Sequence, residues 1–147
     1  MTARRITLRS NPIGDGYWVW FYVYVYDTVA QLQRAAVKYS NDSGWYHENT
    51  LACFQPRYTV RYDSKGKAER CSNSKFLGFM RLTTEFLNPG IVIHECSHAA
   101  TNYLRVLNLS SRYMIGNSIE NEEAFAYAVQ EFSYALLKKL EYLPNEA

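Results

Sequence analysis

Tyr17-Trp18-Val19-Trp20-Phe21-Tyr22-Val23-Tyr24-Val25-Tyr26 consists only of β-branched and aromatic residues. These residue types fit a pleated, half-buried surface, so the stretch reads as a β-strand. It is apolar on both faces, which predicts an interior strand covered on at least one side by helices. The Tyr/Val alternation from Tyr22 to Tyr26 predicts one tyrosine-lined face. Upstream, residues 1–16 carry the turn dipeptides Asn11-Pro12 and Gly14-Asp15-Gly16. Downstream, Asp27 or Thr28 can cap a helix whose apolar stripe is Val29, Leu32, Ala36 and Val37. Asn41-Asp42-Ser43-Gly44 ends that helix, and residues 45–50 form a loop.

Residues 51–82 read as a small antiparallel meander. Its strands are Leu51 to Phe54, Tyr58 to Tyr62 and Phe76 to Leu82, with Asp63-Ser64-Lys65-Gly66-Lys67 as a hairpin loop. Asn88-Pro89 is a cap followed by a good first helical residue, so a helix starts at Pro89 and runs through Leu107. Asn108 to Ser118 connects it to a last helix, from about Glu120 to Leu143, stopped at Pro144. This order gives an α+β fold, a small antiparallel (mixed) sheet covered by helices.

Composition bounds the function. The chain has 147 residues, 48% hydrophobic and 20% charged, which suits a single domain over residues 1–147 with its own core. A net charge of +2 gives no reason to expect nucleic acid as a partner. No apolar run reaches bilayer length, so no membrane partner is expected. Met1 to Arg5 is not followed by the apolar core of a signal peptide, and a cytoplasmic location is expected. Cys53, Cys71 and Cys96 are odd in number, which argues for reduced, mostly buried thiols over a disulfide framework. A zinc cluster of these cysteines with His47 is conceivable, but no C-x-x-C pair supports it.

His94-Glu95-Cys96-Ser97-His98 fits H-E-x-x-H inside the helix that starts at Pro89. Residues i and i+4 stand above one another on a helix face. Two imidazoles so placed can reach one Zn²⁺ at about 2.0–2.1 Å. Glu95 lies about 100° round the helix. There it can reach a water on that metal and act as general base. A catalytic zinc needs a third protein ligand, and Asn121-Glu122-Glu123-Ala124-Phe125-Ala126-Tyr127 opens the last helix. A hairpin of the two helices would bring these first turns beside His94 and His98. The apolar face of Phe125, Ala126, Val129, Phe132, Leu136 and Leu140 has Glu122 near its middle and Glu123 at its edge, which favours Glu122.

The combination resembles the gluzincin metallopeptidases, which pair an H-E-x-x-H helix with a Glu on a following helix. In aminopeptidase N-like members that Glu is followed three positions later by a small residue, and Glu123-Ala124-Phe125-Ala126 keeps that spacing, which favours Glu123. The chain is also similar to small phage-encoded metallopeptidases in which a Glu-x-x-Ala-Tyr helix follows H-E-x-x-H; Glu123 to Tyr127 matches. The resemblance spans about residues 76–130. It implies a zinc peptidase with His94, His98 and Glu123 on Zn²⁺, Glu95 as general base, a peptide or protein substrate, and a host-cytoplasmic location if phage-encoded. It also implies an edge strand that pairs with extended substrate, a place Phe76 to Leu82 takes in chain order. The alternative is a zinc-binding phage or bacterial protein that engages a host partner through its tyrosine-rich surface without hydrolysis. His47, with Trp45 and Tyr46, is a further candidate for lining a cleft, and the phenols of Tyr103, Tyr113 and Tyr127 are candidates for stabilising an oxyanion. Lys65, Lys67 and Arg70 form a basic hairpin tip that reads as a solvated turn.

Overall fold

The computed structural model describes residues 3–40, 50–57, 59–71, 75–109 and 118–143. Expectations placed on residues 41–49, on Tyr113 and on Pro144, and on the side chains of Arg70 and Cys71, fall outside what it describes. The fold is α+β: a four-stranded mixed sheet with helices on both faces, and a separate two-stranded ribbon. The strands are β1 (Arg4–Ser10), β2 (Val19–Tyr26), β3 (Cys53–Pro56), β4 (Thr59–Tyr62), β5 (Ala68–Cys71) and β6 (Phe76–Thr83). The α-helices are α1 (Val29–Ser40), α2 (Pro89–Leu109) and α3 (Ser118–Lys139). The sheet order is β1-β2-β6-β3.

β2 is the interior strand its composition predicts. Val19, Phe21, Val23 and Val25 are buried beneath α2 and α3, while Trp20, Tyr22, Tyr24 and Tyr26 stand half-buried on the other face. β1 occupies a segment read as turns. Ile6, Leu8 and Ser10 point inward and Arg5, Thr7 and Arg9 outward; the arginines hide the period-2 pattern from a hydrophobicity reading. The turn dipeptides that follow it do form turns, closed by Gly14 N–H donating to Asn11 O at 3.1 Å.

The meander needs correction. β4 and β5 form their own hairpin about Asp63, whose carboxylate accepts from the N–H groups of Lys65 and Lys67 at 2.9 and 2.8 Å. β6 runs parallel to β2 and antiparallel to β3, so it is an interior strand and not the edge. The edge beside α2 is β3. Chain order places β6 next to the motif helix, but β6 is apolar on both faces and is buried along nearly its whole length, as an interior strand must be.

Gly78 allows this arrangement. Two steps along β2, from Trp20 to Tyr22, oppose three along β6, from Phe76 to Phe79, so β6 carries a bulge. Gly78 sits in it at φ 141°. A Cβ there would collide with the Gln55 carbonyl oxygen and lie 2.9 Å from Pro56 Cα. Only glycine lets β3 close on β6 at that point.

A buried polar chain ties α1 to the same strands. Gln55 donates to Ala36 O at 2.9 Å and accepts from Arg81 Nε at 2.6 Å, and Arg81 Nη1 donates to Tyr26 OH at 2.6 Å. Burial raises the Tyr26 pKa, against the lowering pull of Arg81. On the other face, α2 and α3 pack on the sheet around T-shaped contacts of Phe21 with Phe132 and Phe54. α3 ends at Lys139, short of Pro144. Glu141 turns left-handed at φ 69°, and Tyr142 N–H reaches back to Leu137 O at 2.9 Å, closing the helix end.

Gly78→Ala should therefore destabilise the fold by at least about 2 kcal/mol, combining backbone strain with a backbone collision. A urea-unfolding midpoint unchanged from wild type would contradict the tight β3–β6 approach.

Candidate metal centre

Asn88 starts α2 as its sequence predicts, accepting the Ile91 N–H on Oδ1 at 3.0 Å ahead of Pro89 at the first helical position. Val92, Cys96, Ala99, Ala100, Tyr103, Val106 and Leu107 are buried, forming one continuous stripe against the sheet and α3. That stripe fixes the rotation of the helix. The Asn102 amide pins it further, donating to Leu77 O on β6 at 2.7 Å. His94, His98, Thr101 and Arg105 follow one another at i, i+4, i+7 and i+11 and so share a second face. This face looks across at β3. Between them lies a cleft of about 450 Å³ whose walls include Ala52, Phe54 and Pro56 on one side and His94, Glu95 and Arg105 on the other.

His94 and His98 present their Nε2 atoms to each other at 3.3 Å, with ring planes 75° apart. Two ligands about 2.0–2.1 Å from a tetrahedral zinc are themselves about 3.3 Å apart. The pair thus has the separation of two nitrogens on one metal. Glu95 Oε1 lies 4.0 Å from His94 Nε2, and donor atoms of all three residues fall within 4.8 Å of one another. Glu95 is only 4% exposed, and its Oε2 has no hydrogen-bond partner. A buried carboxylate with an unpartnered oxygen, next to two imidazoles, is a group that a nearby cation and its water would stabilise. These three residues could hold a metal ion.

Burial pushes the Glu95 pKa up to about 7. Burial, and then the neighbouring His94, lower the pKa of His98, which favours the neutral imidazole that a metal requires. Cys96 faces the core, where burial pushes its thiol up to about 12, and it is not among the grouped donors. Cys53 and Cys96 are both buried, as their residue type predicts.

The structure brings together His94, Glu95 and His98. It does not bring Glu122 or Glu123 into that group; both are exposed on α3. The helical hairpin forms, but α2 runs eleven residues past His98 before it ends. Cys96 lies against Ser133, and Glu123 is ten residues before Ser133, about 15 Å along the helix. The first turns of α3 thus stand beside the last turns of α2 and not beside the histidines. The buried stripe of α3 is Ala124, Ala128, Phe132 and Leu136, whereas Ala126, assigned to the apolar face from sequence, is exposed. Tyr103 is buried in the core, and Tyr127 is exposed on α3.

Sequence reasoning passed over Thr101 and Arg105 on the cleft face and the whole of β3 as its opposite wall. The helical period from His94 would have found the first two; strand order alone could not have found the third. No family model, curated protein or solved structure matches the chain.

In metal-free protein the Glu95 carboxyl is protonated in the folded state up to about pH 7 but ionises near pH 4.5 when unfolded. The unfolded chain then binds fewer protons between these values, so folding stability falls as pH rises through that window and stays reduced above it. Glu95→Gln should remove this loss, so that with chelator present the variant gains on the order of 2–3 kcal/mol over wild type between pH 4 and pH 8. Denaturation curves that keep the same spacing at both pH values would refute the buried, proton-binding carboxyl.

Proposed function

We propose that this chain is a zinc-dependent peptidase that hydrolyses peptide bonds in the cleft between β3 and α2. The observation that carries the reading is the 3.3 Å approach of the His94 and His98 Nε2 atoms with the buried Glu95 carboxylate beside them. His94 and His98 are the ligands that this geometry supports. Glu123 is the proposed third ligand on the resemblance to gluzincins alone; in the structure it lies on the first turns of α3, away from the histidines. Zinc, when bound, supplies Lewis acidity that polarises a carbonyl and brings the pKa of a water towards 7.

Glu95 supplies the proton transfers. A carboxylate with a pKa near the working pH can take a proton from the attacking water and give it to the leaving amine. Its burial keeps bulk water from competing for that proton. β3 supplies the binding surface. Among the described residues it pairs with β6 alone, so the backbone of Cys53–Pro56 offers its other edge to an extended peptide. The substrate-pairing role expected of Phe76 to Leu82 thus passes to β3. The Asn102 amide is committed to Leu77 O and the Thr101 hydroxyl to Ser97 O, so peptide main chain is held chiefly from the strand. Among the described residues no helix is long and apolar enough to cross a membrane. Action on peptide or protein substrate in the cytoplasm, the host's if phage-encoded, completes the proposal.

Elemental analysis of wild type should find about one zinc per chain, lost in His94→Ala and weakened in Glu123→Ala. Zinc at full occupancy in Glu123→Ala would transfer the third ligand to another residue. With a peptide library as substrate, Glu95→Gln should keep its zinc and lower kcat by at least about 100-fold. Zinc bound by wild type without any cleavage would favour the non-hydrolytic, partner-binding reading, and failure to take up zinc at all would sink both.

A further inference from the structure

The sheet face turned away from α2 and α3 carries a second organised surface, independent of the metal centre. Trp20, Tyr22, Tyr24 and Tyr26 alternate along β2 on this face, with Trp18 just before the strand, and the β6 bulge sets both Phe76 and Phe79 beside them. The rings form a continuous layer. Tyr22 lies 5.3 Å from Phe76, 6.1 Å from Phe79 and 6.4 Å from Tyr24, and Trp20 lies 5.8 Å from Phe76. α1 covers the Tyr26 end, where Leu32, Ala36 and Cys53 pack, and its Tyr39 ring lies 4.7 Å from Phe79. Towards the other end Trp20, Tyr22 and Tyr24 are half-buried, Phe76 is buried, and Trp18 is 48% exposed.

Exposed arginines rim this layer. Arg5 stands over Tyr22 at 5.0 Å, Arg9 over Trp18 at 5.7 Å and Arg57 over Phe76 at 5.6 Å. Among the described residues no carboxylate pairs with any of these three. The described acids of the helical layer, Glu95, Glu122, Glu123 and Glu131, sit on the opposite side of the sheet. Arg5, Arg9 and Arg57 make the end of this face away from α1 cationic in a chain whose net charge is only +2.

Rings and cations together select the occupant. An apolar peptide would have no use for the arginines, and an acidic one no use for the exposed and half-buried rings of Trp18, Trp20, Tyr22 and Tyr24. Single-stranded nucleic acid uses both, because unpaired bases stack on aromatic side chains and guanidinium planes while phosphates meet the cations. A duplex keeps its bases stacked inward, out of reach of a flat sheet. From Trp18 to Tyr24 the strand spans about 20 Å, the reach of a few nucleotides.

We propose that this outer sheet face, from Trp18 to Tyr24 with Phe76 and Phe79 and rimmed by Arg5, Arg9 and Arg57, binds single-stranded nucleic acid. The test is fluorescence anisotropy of labelled oligo-dT and oligo-rU, each about 12 nucleotides long, with the full chain. Binding of either oligomer that weakens between about 50 and 200 mM salt is expected. The Arg5→Glu/Arg9→Glu double variant should bind at least tenfold more weakly. Tyr22→Ala should do the same, provided its circular dichroism matches wild type; the arginine pair lies at the surface and needs no such condition. A Lys138→Glu/Lys139→Glu double variant makes the same charge change on α3, in the opposite layer, and should leave the affinity unchanged. No binding at about 100 µM protein in low salt would overturn the proposal. So would equal weakening by the α3 variant, or competition by poly-glutamate as effective as by unlabelled oligomer.

Discussion

Helix α2 can bury only one face, and that face is continuous from Val92 to Leu107. Rotating it by even one residue would move about 100° of surface and expose several of those side chains. The rotation is therefore fixed by the core, with the Asn102 contact to Leu77 O as a polar lock. Once it is fixed, the 3.6-residue period leaves His94 and His98 no direction but the cleft, and leaves Glu95 at the border between cleft and core. The raised pKa of Glu95 and its unsatisfied oxygen both follow from that border position.

The wall facing the histidines depends on a different constraint. β3 is only four residues long, and an edge strand so short has little of its own to hold it. Three features compensate. Gly78 lets it approach β6 closely, Gln55 is hydrogen-bonded to both Arg81 and Ala36 O, and Phe54 packs edge-on to Phe21. Its inner face lines the cleft while its outer face is held by a buried arginine whose guanidinium lies near the rings of Tyr24, Tyr39 and Phe79. A cation buried this way is strongly coupled to its partners, because leaving any one of them unmade costs more than the contact itself contributes. The strand is held in register from behind while its free backbone edge stays open to the cleft.

The sheet thus separates two chemistries. One side presents imidazoles and a carboxylate next to an open strand edge; the other presents aromatic rings under arginines. β6 serves both. Its core-facing Leu77, Met80 and Leu82 support α2, and its bulge brings Phe76 and Phe79 to the outer layer. An extra residue in one strand changes the facing of side chains on either side of it, which is how one strand carries an apolar core and an aromatic surface without strict alternation.

Sequence alone determined the features that depend on local periodicity and capping. H-E-x-x-H within a helix begun by Asn88-Pro89 was legible because i, i+4 adjacency is a property of any α-helix. β2, with its two unlike faces, was legible from Val/Tyr alternation, and α1 from Leu32 and Ala36. What only the tertiary structure decided is long-range pairing. Strand order depends on which backbone edges meet, and nothing within Phe76–Thr83 says that it lies between β2 and β3. The depth of the α2–α3 hairpin depends on where α2 ends, and its extension to Leu109 carries Glu122 and Glu123 past the histidines. The outer layer of rings and arginines was hidden for the same reason: Arg5 and Tyr24 are neighbours only because β1 folds back antiparallel on β2. Charge summed along a chain cannot record which face of a sheet it comes to occupy.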